Sequence, residues 1–267
     1  MKLMVEIQGE IAKPLFDVVL VNYKSYELTT ICLNLLQQIV KDGSVQVWVV
    51  DNDSKDESTE YLRSLDWINL IERKCILNEP GYMAHGRALD LVMEKVSADY
   101  LFIMHTDTLI YDLNIFDLMM DECAKNKDII AVGCIDQVSR GWLRVIWRFV
   151  TRFLKYYFRK AKLTLGLKTR APRPYYEVYL KSFFALWNVK VMKEEGVTFT
   201  LNDILPSYGA QDELLKVGYK LAQIPSRKIF SYLDHMEAGT IAAQGGYSND
   251  HQRAKKYKSL LAKMSES

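Results

Sequence analysis

Apolar runs that stop abruptly at polar side chains, each followed by a stretch of helical periodicity, recur through the first half of the chain. No other feature restricts the possible folds as much. FDVVLVNY (16–23), VQVWVVDND (45–53) and the run from Tyr100 to Met104, which meets His105, Thr106 and Asp107, read as buried strands. INLIERK (68–74) reads as a weaker one. ELTTICLNLLQQIV (27–40), ESTEYLRSL (57–65) and RALDLVMEKV (87–96) have apolar residues at helical spacing, with Ser25 placed to cap the first. Strands alternating with helices of this length predict parallel βαβ units and an α/β sheet. Such sheets bind ligands beyond the carboxyl ends of their strands, near a topological switch point. Asn22, Tyr23, Asp51, Asp53 and Asp107 all fall at those ends.

The second half continues with a helix (113–126), a strand (129–135), a segment strand-like then helix-like (175–196), and a helix running into a strand (209–224). A polar helix is expected at 250–264. The 267 residues can bury a substantial core. No uninterrupted apolar run reaches the ~18 residues of a membrane span. The first thirteen residues carry Glu6 and Glu10 and do not read as a secretory signal. Four scattered cysteines without CxxC spacing point to buried thiols and a reducing, cytoplasmic setting.

The acidic strand ends have a plain reading, because Asp and Asn suit turns and caps. Two acidic strand ends in one sheet also suit a nucleotide diphosphate with Mg2+ or Mn2+, which needs only one or two protein carboxylates beside phosphate oxygens. NEPGYMAHG (78–86) lacks both a Walker lysine and GxGxxG, so it supports neither a P-loop nor a dinucleotide fold. It reads as a Gly-bearing turn opening a helix, with Arg87 in the first turn as a phosphate donor. Asp212, near the start of a helix, reads either as a helix-end carboxylate or as a general base. His235 in LDHMEAGT is a lone histidine, structural or ligating.

In their order, VVLVNYKS, VVDNDSKDES, NEPGYMAHGRALD, YLFIMHTDT, SFFALWNVKVMKEEG, GAQDELLKVGYK and DHMEAGT resemble a family 2 inverting glycosyltransferase with the GT-A fold. The resemblance covers about residues 16–240. It implies a mixed, mostly parallel central sheet flanked by helices. The implied reaction moves a hexose-like sugar from a UDP- or dTDP-sugar to a hydroxyl of a glycan or lipid-linked acceptor, as in polysaccharide biosynthesis, with inversion and metal assistance. Val21, Asn22, Tyr23, Asp51 and Asp53 would contact the base and ribose of the donor, and Gly81, His85 and Arg87 would line its pocket. His105 and Thr106 would also face the donor. Asp107 matches the last carboxylate of the DxD metal motif, with His235 as a further metal contact and Mn2+ or Mg2+ as the cofactor. Asp212 matches the catalytic aspartate of the "ED" element. The sequence departs from the pattern where His105 replaces the first DxD aspartate and where Gln211 precedes Asp212. Two rivals stand beside this reading. One is a catalytically inactive, membrane-associated sugar-nucleotide-binding protein. The other is a sugar-nucleotide pyrophosphorylase, whose Gly-rich, Arg-bearing N-terminal signature VLVNYKSYE lacks.

The net charge of +2 conceals a local excess. Of 35 Lys and Arg, eleven lie between Asp136 and Glu177, where no acidic residue occurs, leaving 24 against 33 acidic residues elsewhere. On a helix over 140–168, Trp142, Ile146, Phe149, Phe153 and Tyr157 form one stripe, with Arg144, Arg148, Arg152, Lys155, Arg159 and Lys162 as another. An aromatic face beside a cationic one suits peripheral contact with an anionic membrane on its cytoplasmic face. A core helix with a solvated charged side is the plain alternative. Nucleic acid is disfavoured as a partner, because the acidic remainder would repel a polyanion. The expected organisation is a GT-A domain over 1–240 with a basic helical insertion at 139–173, then a helical tail at 241–267.

Overall fold

The computed structural model describes residues 15–40, 44–137, 142–170, 172, 175–201 and 205–236. The expected helix at 250–264 and the tail at 241–267 lie outside the described residues. The elements run β1 (Phe16–Asn22), α1 (Tyr26–Leu36), β2 (Val45–Asp51), α2 (Glu57–Arg63), β3 (Ile68–Glu72), α3 (Gly81–Lys95), β4 (Tyr100–His105), β5 (Thr108–Ile110), α4 (Asn114–Ala124), β6 (Ile129–Gly133), α5 (Trp142–Thr164), β7 (Phe184–Asn188), α6 (Val189–Glu194), α7 (Tyr208–Val217), β8 (Lys220–Gln223), α8 (Ser226–Ile229) and β9 (Leu233–His235).

Seven strands form one sheet in the order β3-β2-β1-β4-β7-β6-β8. All its pairings are parallel except those of β7, which is antiparallel to both β4 and β6. The chain leaves β1 for β2 on one side and returns to β4 on the other, which makes the β1/β4 edge a switch point. The register sets Asn22 beside Asp51 and Val21 beside His105, so three strands end at one rim.

Side-chain alternation divides the sheet's two faces. Phe16, Val18, Leu20 and Phe102 meet Leu33, Phe116 and Met119 from α1 and α4. Val19, Leu101 and Trp187 meet Leu89, Val92 and Leu214 from α3 and α7.

Three expectations need correction. Ser25 occupies the N-cap position of α1 but makes no side-chain cap bond; its hydroxyl instead donates to Asn22 Oδ1 at 3.1 Å. The helix expected from 87 begins at Gly81, behind Pro80, whose fixed φ suits a helix entry. GYMAHG is therefore helical, and Arg87 lies in the second turn. A Cβ on Gly86 would stand 2.8 Å from Thr200 Cγ2, so a glycine inside the helix permits a close approach rather than a turn.

The third concerns the basic segment. It is helical, as α5, but its stripes are not simply solvent-facing. Phe153 packs edge-on to Tyr175 at 5.2 Å, and Arg148 and Arg152 pair with Glu177 at 3.0 and 2.6 Å. The exposed side carries Trp147, Val150, Leu154 and Phe158 as well as Ile146, Phe149 and Tyr157 of the expected stripe. Among the described residues no helix is long and apolar enough to cross a membrane.

Candidate active site

Asp51 closes β2 and Asp107 lies in the turn just past β4, and their surroundings differ. Asp51 Oδ1 accepts from Asn22 Nδ2 at 2.7 Å and from the Ser54 hydroxyl, while Oδ2 accepts from Thr59 Oγ1 at 3.0 Å and Ser54 N at 3.3 Å. Four acceptances fill a carboxylate's lone-pair directions. Asn22 completes the network by accepting from Thr29 Oγ1 at 2.8 Å. Asp51 and Asn22 thus tie the β1 and β2 ends together. Tyr23 is exposed beside them, and Asp53, at φ 64, pairs with Lys55 at 3.0 Å.

Beside this network lies an ion cluster that sequence reading did not single out. Arg73 Nη2 donates to both Glu79 oxygens at 2.7 and 2.8 Å, and Arg87 Nη1 donates to Oε1 at 2.6 Å. Burial pushes the Glu79 pKa up, but the two guanidiniums outweigh it and hold it below the usual carboxylate range. The signal was faint: one arginine just past a weak strand and one glutamate before a proline. Arg87 donates to Glu79 through Nη1 alone, and its side chain stays 41% exposed, which is compatible with the phosphate-donor role expected from the sequence.

Three of the chain's four histidines converge with Asp107. His105 ends β4, and Asp107 follows the buried Thr106. His235 arrives from far along the chain because β9 pairs antiparallel with β5, setting it opposite Thr108. The backbone N–H of Met236 then donates to Asp107 O at 2.9 Å. His235 Nε2 lies 3.3 Å and His105 Nδ1 3.8 Å from Asp107 Oδ1. The ligand atoms of His105, Asp107 and His235 all lie within 4.8 Å of one another. Phe183 stacks on the His235 ring at 4.5 Å, and His85, from α3, stands edge-on to His105 at 5.1 Å. Burial pulls the pKa of His105 down to about 4 and that of His85 to about 3, so both are neutral near pH 7. Neutral imidazoles and a carboxylate are the donor set a divalent transition metal accepts.

Asp212 stands in the first half of α7. Tyr179 OH donates to its Oδ2 at 3.0 Å, and burial followed by this carboxylate raises the Tyr179 pKa. Tyr208 stacks on Tyr179 at 4.2 Å, and Lys181 Nζ donates to Tyr208 OH at 2.8 Å and Glu177 Oε2 at 3.2 Å. Gln211, where the resemblance expects an acid, accepts from Leu180 N at 2.8 Å and donates to Leu180 O at 3.1 Å. A neutral amide does both; a carboxylate could not. The same short segment reaches the histidines. The Ser182 hydroxyl bonds His105 Nε2 at 3.2 Å, and Phe183 O accepts from His105 N at 2.9 Å. Residues 179–183 therefore join Asp212 to the histidine cluster along one edge of β4. Gly81 and Val21 flank this rim at the start of α3 and the end of β1.

Comparison with known proteins agrees with this topology. No curated protein matches the chain by sequence. Among solved structures, the mannosyltransferase PcManGT from Pyrobaculum calidifontis, in complex with GDP-Man and Mn2+, superposes with a TM-score of 0.55 at 15% identity over 80% of this chain and 56% of its own. TarS 1–349 from S. aureus superposes with a TM-score of 0.50 at 11% identity, over 85% of this chain and 62% of its own. The chain thus spans less than two thirds of either structure, and likeness at these identities concerns the fold. The model of the family described as "Glycosyl transferase family 2" matches residues 17–186, well over half of the chain. With its mixed, mostly parallel α/β sheet and its polar rim, this chain belongs to glycosyl transferase family 2, a family of nucleotide-sugar-dependent enzymes.

Proposed function

We propose that the chain transfers a sugar, with inversion, from a UDP- or dTDP-sugar to a hydroxyl of a glycan or lipid-linked saccharide, with Asp212 as general base. The observation that carries this reading is the carboxylate of Asp212, held by Tyr179 OH on the segment that also bonds His105. Asp212 takes the proton from the acceptor hydroxyl while that oxygen forms its bond to the anomeric carbon. The bond from that carbon to the diphosphate breaks on the opposite side, which inverts the centre. His105, Asp107 and His235 would hold Mn2+ or Mg2+, which when bound neutralises charge on the departing diphosphate. Val21, Tyr23, Asp53, Gly81, His85, Arg87 and Thr106 line the donor side, and Asn22 and Asp51 serve it by fixing the strand ends. The stacked Tyr179 and Tyr208 offer an aromatic face to the acceptor.

The outward apolar face of α5, flanked by cations, supports peripheral attachment to an anionic membrane on its cytoplasmic side, where a lipid-linked acceptor would be met. The whole of residues 1–240 works as one transferase domain in this reading, with α5 as its insertion.

Asp212→Asn tests the assignment. Turnover of a nucleotide-sugar panel should fall by about 10²–10⁴-fold, the usual contribution of a positioned base. Donor affinity, read by calorimetry, should stay close to that of the unaltered chain. Undiminished turnover would remove Asp212 from the mechanism.

A further inference from the structure

Between α5 and Asp212 the chain gathers more positive charge than it neutralises. Glu177 Oε1 meets Arg148 Nη2 at 3.0 Å and Arg152 Nη1 at 2.6 Å, and its Oε2 meets Lys181 Nζ at 3.2 Å. Burial pushes the Glu177 pKa up, but Arg152 and Lys181 outweigh it, so the carboxylate is charged at neutral pH. Three cations around one carboxylate leave two positive charges uncancelled. Glu177 holds both guanidiniums in place, yet their side chains stay 35% and 34% exposed, open to a second anion. Among the described residues no other carboxylate pairs with either. Lys155 and Arg159 continue the same face of α5 at helical spacing. The contacts also run the other way. Lys181 Nζ donates to Tyr208 OH at 2.8 Å, Tyr208 stacks on Tyr179 at 4.2 Å, and Tyr179 OH donates to Asp212 Oδ2 at 3.0 Å. A sugar ring on this tyrosine pair, with one hydroxyl at Asp212, has the cations beside it.

We propose that Arg148, Arg152 and Lys181, braced by Glu177, form an acceptor subsite for a phosphate or diphosphate group. The acceptor is then a phosphate ester of a saccharide and not a neutral glycan. The inference rests on the transferase reading, with Asp212 at the acceptor hydroxyl, and names the chemical class of that acceptor. A phosphate supplies the charge that Glu177 leaves wanting, and its oxygens suit the planar fork of a guanidinium. It is held and not transferred: its place is to fix the saccharide so that one hydroxyl meets the base. The exposed apolar side of α5, with Leu154 and Phe158, borders the same helix face, so a lipid carried on the phosphate would find an apolar surface next to the cations.

Calorimetry on the full chain, saturated with UDP and Mn2+ to fill the donor side, tests this. The probes are the 1-phosphates of glucose, galactose, mannose and N-acetylglucosamine, each beside its neutral methyl glycoside. At least one 1-phosphate should bind about tenfold or more tightly than its methyl glycoside. Joint Arg148→Gln and Arg152→Gln replacement should weaken it by about 10–100-fold, the usual worth of charge-assisted hydrogen bonds, with UDP affinity unchanged. Glu177→Gln removes the internal competitor and should tighten phosphate binding, whereas losing a merely structural carboxylate would loosen it. Two sources of the phosphate are then separable. A citronellyl-linked hexosyl diphosphate that outbinds the 1-phosphate assigns a lipid-linked acceptor, and the reverse assigns a soluble sugar phosphate. Equal affinity for charged and neutral probes, loss of UDP binding in the double variant, or weaker phosphate binding in Glu177→Gln overturns the subsite and leaves a neutral acceptor for the same base. So does a double variant that binds every probe normally but no longer floats with phosphatidylglycerol vesicles, which would give the cations to lipid headgroups. Absence of UDP binding in the unaltered chain counts instead against the transferase reading itself.

Discussion

Asp17 sits at the far end of β1 from the candidate site, fully buried, with Trp48 Nε1 donating to its Oδ2 at 3.3 Å. Burial raises its pKa to about 6, against the smaller opposing effects of Trp48, the Gln46 backbone and Lys193. The folded chain therefore holds a proton that the unfolded chain releases near pH 4. Its contribution to stability is complete below that pH and is lost as pH rises through about 6. Relative to Asp17→Asn, the native chain should lose up to about 3 kcal/mol of unfolding free energy between pH 4 and pH 7. Urea denaturation at both pH values measures it, and a difference that does not change with pH would contradict the assignment. Buried carboxylates also show what sequence hides at this scale. Asp51 and Asp107 read alike, each closing a strand, but one is saturated by Asn22, Ser54 and Thr59 and the other faces imidazoles. Their partners are distant in sequence, so no local pattern separates them.

Elements were more legible than their roles. Periodicity located β1, β2, β4 and their helices, because each buries one regular face. It missed the antiparallel setting of β7, since strand direction is decided by the route of the connection and not by the residues of the strand. It also began α3 late, reading Gly86 as a breaker. The reason for that glycine is tertiary. Thr200 and Pro206 lie against α3, with Asp90 accepting from Phe199 N at 2.6 Å and Thr200 Oγ1 at 2.6 Å. Ser207, at φ 70, then leads into α7. Gly86→Ala would press a methyl against Thr200 and Pro206 and disturb the entry to the helix that carries Asp212. The expected cost is about 1–3 kcal/mol of stability, together with lower turnover. Urea denaturation and a transfer assay check both; unchanged values would mean Thr200 and Pro206 yield freely.

For the molecule as a whole, α5 is the element least explained by the sheet. Composition revealed its charge, yet only the fold shows which residues remain available. Arg148 and Arg152 are committed to Glu177, while Trp147, Leu154 and Phe158 are 71%, 61% and 63% exposed. In liposome flotation the chain should rise with anionic vesicles and remain below with neutral ones, and joint Leu154→Glu and Phe158→Glu replacement should abolish the rise. Equal recovery in the soluble fraction with both vesicle types would rule out attachment. Attachment through one helix face would have a kinetic meaning too. An enzyme resting on a film searches for its acceptor in two dimensions, so its speed follows the number of acceptors per unit of bilayer area. Diluting them with inert lipid, at constant total amount, would slow the reaction although nothing in the surrounding water had changed.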